Sequence, residues 1–217
     1  MSIGHPGYNV TSMPHSQLGD PAWEIAFLFP PQGHWNESDY LALDRGGGRL
    51  IELVNGKLKV LPLPTIVHQL LLKCLLSRLD GFVAARALGT VVCAPMPVHL
   101  SIEYYREPDI VFFRPDRAAG REYPELADLV MEIVSSDAES RKRDLVDKRR
   151  DYATAGIPEY WIVDPQEHVV IVLSLEGKEY RVHGEFKPGS RATSALLPEF
   201  SIDVAELFAA GEAGKKS

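Results

Sequence analysis

The sequence predicts an α/β (α+β) fold: a single domain with a mixed central sheet flanked by helices and an N-terminal hairpin. Three observations predict it. Short runs with strand character alternate with runs of helical period. The stretch DLVMEIVS, Asp128 to Ser135, is apolar at odd and even positions alike, as strands covered on both faces are. The pair Asn55-Gly56 divides two apolar alternations, a strong hairpin signal. A chain of 217 residues suits one such domain with tails better than two domains.

Residues 1–34 mix Gly, Pro, His and Ser around a short apolar piece, AWEIAFLFPP, and hold no period. They read as an N-terminal arm or disordered tail. The folded domain is expected over 35–208 and a C-terminal tail over 209–217. NESDYLAL supplies a cap residue and a short helix. RLIELVNGKLKVLP reads strand, turn, strand. In IVHQLLLKCLLSRL, residues Leu71, Leu72, Leu75, Leu76 and Leu79 recur at helical spacing and mark one buried face. VVCAPMPVHLS reads as a strand broken by prolines, at an edge or a bulge. EPDIVFFRP, DLVMEIVSS, EYWIVDP and VVIVLSL follow as short strands. Between the second and third of these, a helix is expected from about Arg141 to Ala155, stopped by Gly156 as its C-cap. LLPEFSIDVAELFAA closes the domain as a strand or turn and a short helix.

Composition narrows the function classes. Apolar residues are 45% and charged residues 24%, so neither a disordered nor a fibrous chain is indicated. No run of about 18 apolar residues exists, which argues against a membrane helix. A charged n-region followed by an apolar h-region is missing, so a cytoplasmic location is expected. Cys74 and Cys93 fall in apolar surroundings and read as reduced core residues. The net charge of -7 argues against nucleic-acid binding through the whole surface and leaves a local patch open. RKRDLVDKRR, Arg141 to Arg150, is the candidate patch; a solvated helix face with internal ion pairs is the alternative.

The chemistry-bearing residues are acids in apolar strands. Glu132 shares a strand face with Val130 and Val134. A buried carboxylate without a partner costs several kcal/mol or takes up a proton. Glu132 therefore needs a cation, a donor, or a place at a cleft. Asp109 poses the same problem in EPDIVFFRP, where it precedes Val111 and Phe113 on one face. Pairing with Arg or Lys would satisfy each acid singly. Two such acids on neighbouring strands can also share one metal, and hard oxygen ligands suit Mg²⁺ or Mn²⁺. Lys148 projects from the edge of the helix arc marked by Leu145, Tyr152 and Ala155; Asp144 lies one turn before it, so a surface ion pair is the plainer alternative.

Pro108-Asp109 followed by Glu132 in an apolar strand resembles the PD-(D/E)xK nuclease pattern. The wider text EPDIVFF, DLVMEIVSSD and RDLVDKRRDYATAGIPEYWIVDP resembles the Uma-type family of putative restriction endonucleases, over about residues 36–208. An E-x-K motif would put lysine at position 134, where this chain has Val134. In the resembling family the lysine comes from the following helix, and the matching residue is Lys148. Ser135-Ser136 stands where the family often has Ser-Pro. The acid of the first hairpin strand matches Glu52; a cross-strand pair with Lys59 is its alternative reading. His68, on the apolar side of its helix, reads as a core or cap histidine or as a site residue.

The resemblance implies a restriction-endonuclease-like fold and a Mg²⁺- or Mn²⁺-dependent endonuclease hydrolysing phosphodiester bonds, with DNA as the expected substrate. It implies Asp109, Glu132 and Glu52 as metal ligands and Lys148 as the catalytic cation. Arg141, Lys142, Arg143, Arg149 and Arg150 would touch phosphates, and Tyr152 and Tyr160 would pack beside the site. A homodimer would match the two strands of a duplex. Two other readings stand beside it: a noncatalytic interaction module on the same fold, and a metal-dependent hydrolase of another substrate. The site reading requires Asp109, Glu132 and Lys148 to converge on one cleft.

Overall fold

Asn55 and Gly56 adopt φ of 51° and 70°, the left-handed pair that a two-residue hairpin turn demands. They join β1 (Ile51–Val54) to β2 (Lys57–Val60) in antiparallel register. In this computed structural model the described residues are 29–44, 50–118 and 123–213. The first 28 residues of the expected arm lie outside them. Its last residues dock on the turn: the Gly56 carbonyl accepts from Gly33 N at 2.7 Å and from Trp35 N at 3.0 Å. A Cβ on Gly56 would meet Gly33 O at 2.8 Å, so this close approach requires glycine. Helix α1 (Glu37–Asp44) follows, with Asn36 accepting from Asp39 N at 2.9 Å. Tyr40, Leu53 and Tyr105 form a small core between α1 and the hairpin.

The hairpin belongs to a four-stranded sheet of order β2-β1-β5-β4, with β4 (Val98–Ser101) and β5 (Tyr104–Arg106). The larger sheet has order β10-β9-β8-β7-β6-β3. Its strands are β3 (Thr90–Cys93), β6 (Ile110–Phe113), β7 (Leu129–Ile133), β8 (Glu159–Asp164), β9 (Val169–Glu176) and β10 (Glu179–Phe186). Only β7 and β8 run parallel. A parallel pair requires a crossover, and the chain makes it through a helix. That helix has three parts: α4 (Ala138–Lys142), a π-helical turn (Arg143–Asp147) and α5 (Lys148–Ala155). A single helical turn, α3 (Pro115–Ala118), precedes β7.

Side-chain alternation divides the core. Phe112, Leu129, Met131, Ile133 and Trp161 pack under α2 (Ile66–Ala85) and α6 (Val204–Glu212). Val111, Val130, Val134, Tyr160 and Ile162 face the other way, with Tyr152 and Ala153 of α5 and Val98 of β4. Glu132 shares this second face through its alternation with Val130 and Val134. The opposite faces of β7 are thus both covered, as its apolar run requires. Among the described residues, no helix is long and apolar enough to cross a membrane.

The mixed sheet, flanking helices and hairpin match the expected fold class. Details differ for physical reasons. VVCAPMPVHLS is two strands in two sheets, because Pro95 and Pro97 cannot donate to a ladder and the chain turns away there. β10 was not expected: Glu179, Arg181, His183 and Glu185 on its outer face are exposed, so it carries little apolar signal. Strands β11 (Arg191–Thr193) and β12 (Ser201–Asp203) form a separate pair. The crossover helix begins earlier than expected, at Asp137, whose side chain accepts from Ser140 N at 2.8 Å.

Gly156 ends α5 at φ 83°, as expected of a C-cap, and nothing lies within 4 Å of where its Cβ would stand. Gly156→Ala therefore meets backbone strain alone and should cost about 1–2 kcal/mol in urea unfolding. A cost near zero would show that the helix end relaxes without the left-handed residue.

Candidate active site

β6 and β7 pair through Ile110↔Met131, Val111↔Val130 and Phe112↔Leu129. Beyond that register the Asp109 side chain takes over as acceptor: its Oδ2 receives Ile133 N at 2.7 Å. The same oxygen receives Nε2 of His68 at 3.1 Å. Because the partner is a carboxylate, Nε2 carries the proton; the buried Nδ1 has no hydrogen bond. Burial would push the Asp109 carboxyl up. The His68 hydrogen bond and charge, Lys148 and the Ile133 N–H together hold it below its ordinary value. Burial likewise opposes charge on His68, but Asp109, Glu132 and Asp144 raise it above its ordinary value.

Glu132 meets the helix. Lys148 Nζ lies 2.7 Å from its Oε1, and the Tyr152 hydroxyl donates to that oxygen at 2.6 Å. Lys148 also lies 3.5 Å from Asp144 Oδ1 and 3.7 Å from Glu52 Oε1. The surface pair with Asp144 is thus a buried cluster. Burial would strip the Lys148 charge; the surrounding acids, Glu132 first, push it above its ordinary value, so it stays an ammonium. Burial and the charges of Asp109 and Asp144 outweigh Lys148 at Glu132 and push its carboxyl up to about 8. The π-helical turn contributes here. Lys148 N bonds back to Arg143 O, five residues away, and this widened turn aims Arg143, Asp144 and Lys148 inward together.

Glu52 lies opposite Lys59 in register, but its side chain goes elsewhere. Its Oε2 accepts from Arg106 Nη1, and Arg106 Nη2 reaches Asp151 Oδ2 at 2.6 Å. Lys59 instead lies 3.6 Å from Glu139. Burial would raise Glu52; Lys148, Arg106 and Arg143 hold it below its ordinary value. Glu52 therefore supports Lys148 from behind.

A cavity of about 510 Å³ opens onto this cluster, and Asp109, Glu132, Asp144, Lys148, Arg143 and His68 all line it. Three separate segments thus bring Asp109, Glu132 and Lys148 to one cleft. The basic run divides. Arg143 is in the cavity wall, against Asp144 at 3.2 Å. Arg141 pairs with Asp164 at 2.6 Å, Arg149 donates to Tyr180 O at 3.2 Å, and Arg150 pairs with Asp151 at 3.2 Å. Lys142 is exposed.

The Uma2 family, described as "Putative restriction endonuclease", matches residues 37–205. The chain belongs to the Uma2 family. The crystal structure of a putative nuclease belonging to DUF820, from Anabaena variabilis, shares the fold. Its TM-score is 0.66 at 18% identity, over 81% of this chain and 98% of that one. No curated protein matches the chain.

In this Uma2 chain the donor set can be tested against a metal. Hydrogen bonds to each carboxylate gather on one oxygen, Oδ2 of Asp109 and Oε1 of Glu132. Their second oxygens, Oδ1 and Oε2, accept none among the described residues. Burial first, and then the charges of Asp109 and Asp144, make Glu132 resist ionisation. Two open hard oxygens with surplus negative charge fit Mg²⁺ or Mn²⁺ completed by water. Among the described residues no group of three or more His, Cys, Asp or Glu stands arranged to hold a metal ion. The fit is therefore to Asp109 and Glu132 with solvent.

The sequence understated Tyr152, read as packing, and passed over Arg106. Tyr152 lies one turn after Lys148 on the same helix side, a spacing that could have flagged it. Arg106 gave no comparable signal, because its partners Glu52 and Asp151 are remote in sequence.

Glu132 sets a pH dependence. Its folded value, about 8, exceeds its ordinary 4.5. The contribution is full below 4.5 and is lost as pH rises through about 8. Glu132→Gln should flatten this decline and raise the metal-free Tm near pH 8 by a few degrees. Parallel Tm-versus-pH curves for the two proteins would contradict the assignment.

Proposed function

We propose that the chain is a metal-dependent endonuclease that hydrolyses phosphodiester bonds of DNA in the cytoplasm. The supporting observation is the meeting of Asp109, Glu132 and Lys148 in one cavity, with Lys148 Nζ 2.7 Å from Glu132 Oε1. Membership of a family described as "Putative restriction endonuclease" agrees with it. In this reading Asp109 and Glu132 hold Mg²⁺ or Mn²⁺ through their open oxygens. The bound ion supplies Lewis-acid polarisation of a phosphoryl oxygen.

The chain's own groups do the rest. Tyr152 and Lys148 fix Oε1 of Glu132, and His68 and Ile133 N fix Oδ2 of Asp109. Lys148, buried and charged, offsets negative charge that develops on the phosphoryl group. Arg143, in the same wall, holds a neighbouring phosphate oxygen. A noncatalytic module would have no use for two buried acids lining a cavity beside Lys148, which favours the enzyme.

Lys148→Ala should lower cleavage of circular single-stranded DNA or plasmid by on the order of 10²–10³ with Mg²⁺ or Mn²⁺. Removing one partner of a buried pair destabilises the fold, so Lys148→Arg serves as the second variant. It keeps the charge but misplaces the donor, and should fold yet cut poorly. Undiminished cutting by folded Lys148→Arg and Lys148→Ala would remove Lys148 from the mechanism.

Calorimetry should show Mn²⁺ binding to the wild type that releases protons below pH 8, as the ion displaces the proton on Glu132. Equal affinity in a variant carrying both Asp109→Asn and Glu132→Gln would rule out these ligands.

A further inference from the structure

The lining of the cavity includes two kinds of surface, the charged set Glu132, Lys148 and Arg143 and the apolar segment Val60 to Pro64. The apolar segment is also open to solvent: Leu63 is 92% exposed and Val60 62%, and the following Ile66 is 65% exposed. We propose, resting on the nuclease reading above, that the site takes an unpaired nucleotide of single-stranded DNA. Its phosphate meets Lys148 and Arg143, and its base lies against Val60 to Pro64.

Depth supports this occupant. The Lys148 and Glu132 side chains are only 2% and 3% exposed. A duplex would have to be bent or kinked to bring its backbone into such a recess, at a cost of about 1–6 kcal/mol. A nucleotide enters only after leaving its stack, and an unpaired one does so at least cost. The volume, about 510 Å³, falls in the usual range of sites that enclose a small organic group.

Charge supports it too. Duplex binding draws on many phosphate contacts. Here Arg141 and Arg149 are tied to Asp164 and the Tyr180 carbonyl, which leaves Lys142 and Arg150 as the exposed basic side chains of the run from Arg141 to Arg150. The mouth offers aliphatic and prolyl surface, which suits the apolar faces of bases. A site that takes one strand also needs no two-fold partner, so the dimer expected for duplex cutting is unnecessary.

The test is fluorescence anisotropy with a short labelled single-stranded oligodeoxynucleotide and its duplex. Ca²⁺ is present as an oxygen-binding ion. The single strand should bind at least about tenfold tighter. Leu63→Ser, at an exposed position that leaves the fold intact, should weaken that binding several-fold and leave Mn²⁺ affinity unchanged. Equal or tighter duplex binding, no binding of either, or no effect of Leu63→Ser overturns the proposal. So does a dimer that Leu63→Ser dissociates, since the patch would then be an interface between copies. Equal cleavage of both substrates in Mg²⁺ overturns it while leaving the nuclease reading intact. Selective single-strand binding without any cleavage supports it and overturns hydrolysis instead.

Discussion

The contact between Lys148 and Glu132 is the constraint from which the rest of the site follows. Both side chains are nearly inaccessible to water, and the Lys148 charge would be costly alone. Glu132 stands in a strand that is buried along its length, and the crossover helix brings Lys148 to it. That helix must exist, because β7 and β8 are parallel. The topology that buries the acid thus also delivers its partner. The π-helical turn sets the phase at which the partner arrives.

The pair is part of a graded network. Behind it, Arg106 joins Glu52 to Asp151 and so ties the hairpin sheet to α5. In front, Asp109 substitutes for a ladder acceptor at the end of the β6–β7 pairing. The acids differ according to their partners. Asp109 and Glu52 are held below their ordinary values, whereas Glu132 and Asp144 are pushed above theirs. Ionisation is therefore easy at the site's edges and resisted at its centre. Strongly shifted carboxyls of this kind cluster at functional sites.

What the sequence revealed were features with local chemistry. Asn55-Gly56 and Gly156 announce left-handed backbone, and the structure has it at each. Glu132 was legible because a charge amid five apolar neighbours contradicts its surroundings. The register Glu52↔Lys59 was legible too, yet it misdirects. Pairing by register concerns the backbone, while the Glu52 side chain turns inward to Arg106, which no sequence spacing links to it. The basic run is less uniform than its sequence reads: folding gives Arg141, Arg143 and Arg149 different partners and leaves Lys142 and Arg150 exposed. The π-helical turn leaves no trace in the pattern, because it follows from tertiary packing and not from local propensity.

The same reasoning explains why the apolar mouth matters. A chain with surplus acid at its centre repels a polyanion at distance, so attraction must be short-ranged. In the proposed nuclease a divalent cation would neutralise the surplus and leave Lys148 and Arg143 net attractive to phosphate. The aliphatic wall from Val60 to Pro64 can act before that point, since burial of apolar surface does not depend on charge. The strand acid can be read from the sequence, but that it lines one cavity with Val60 to Pro64 is visible only in the folded chain.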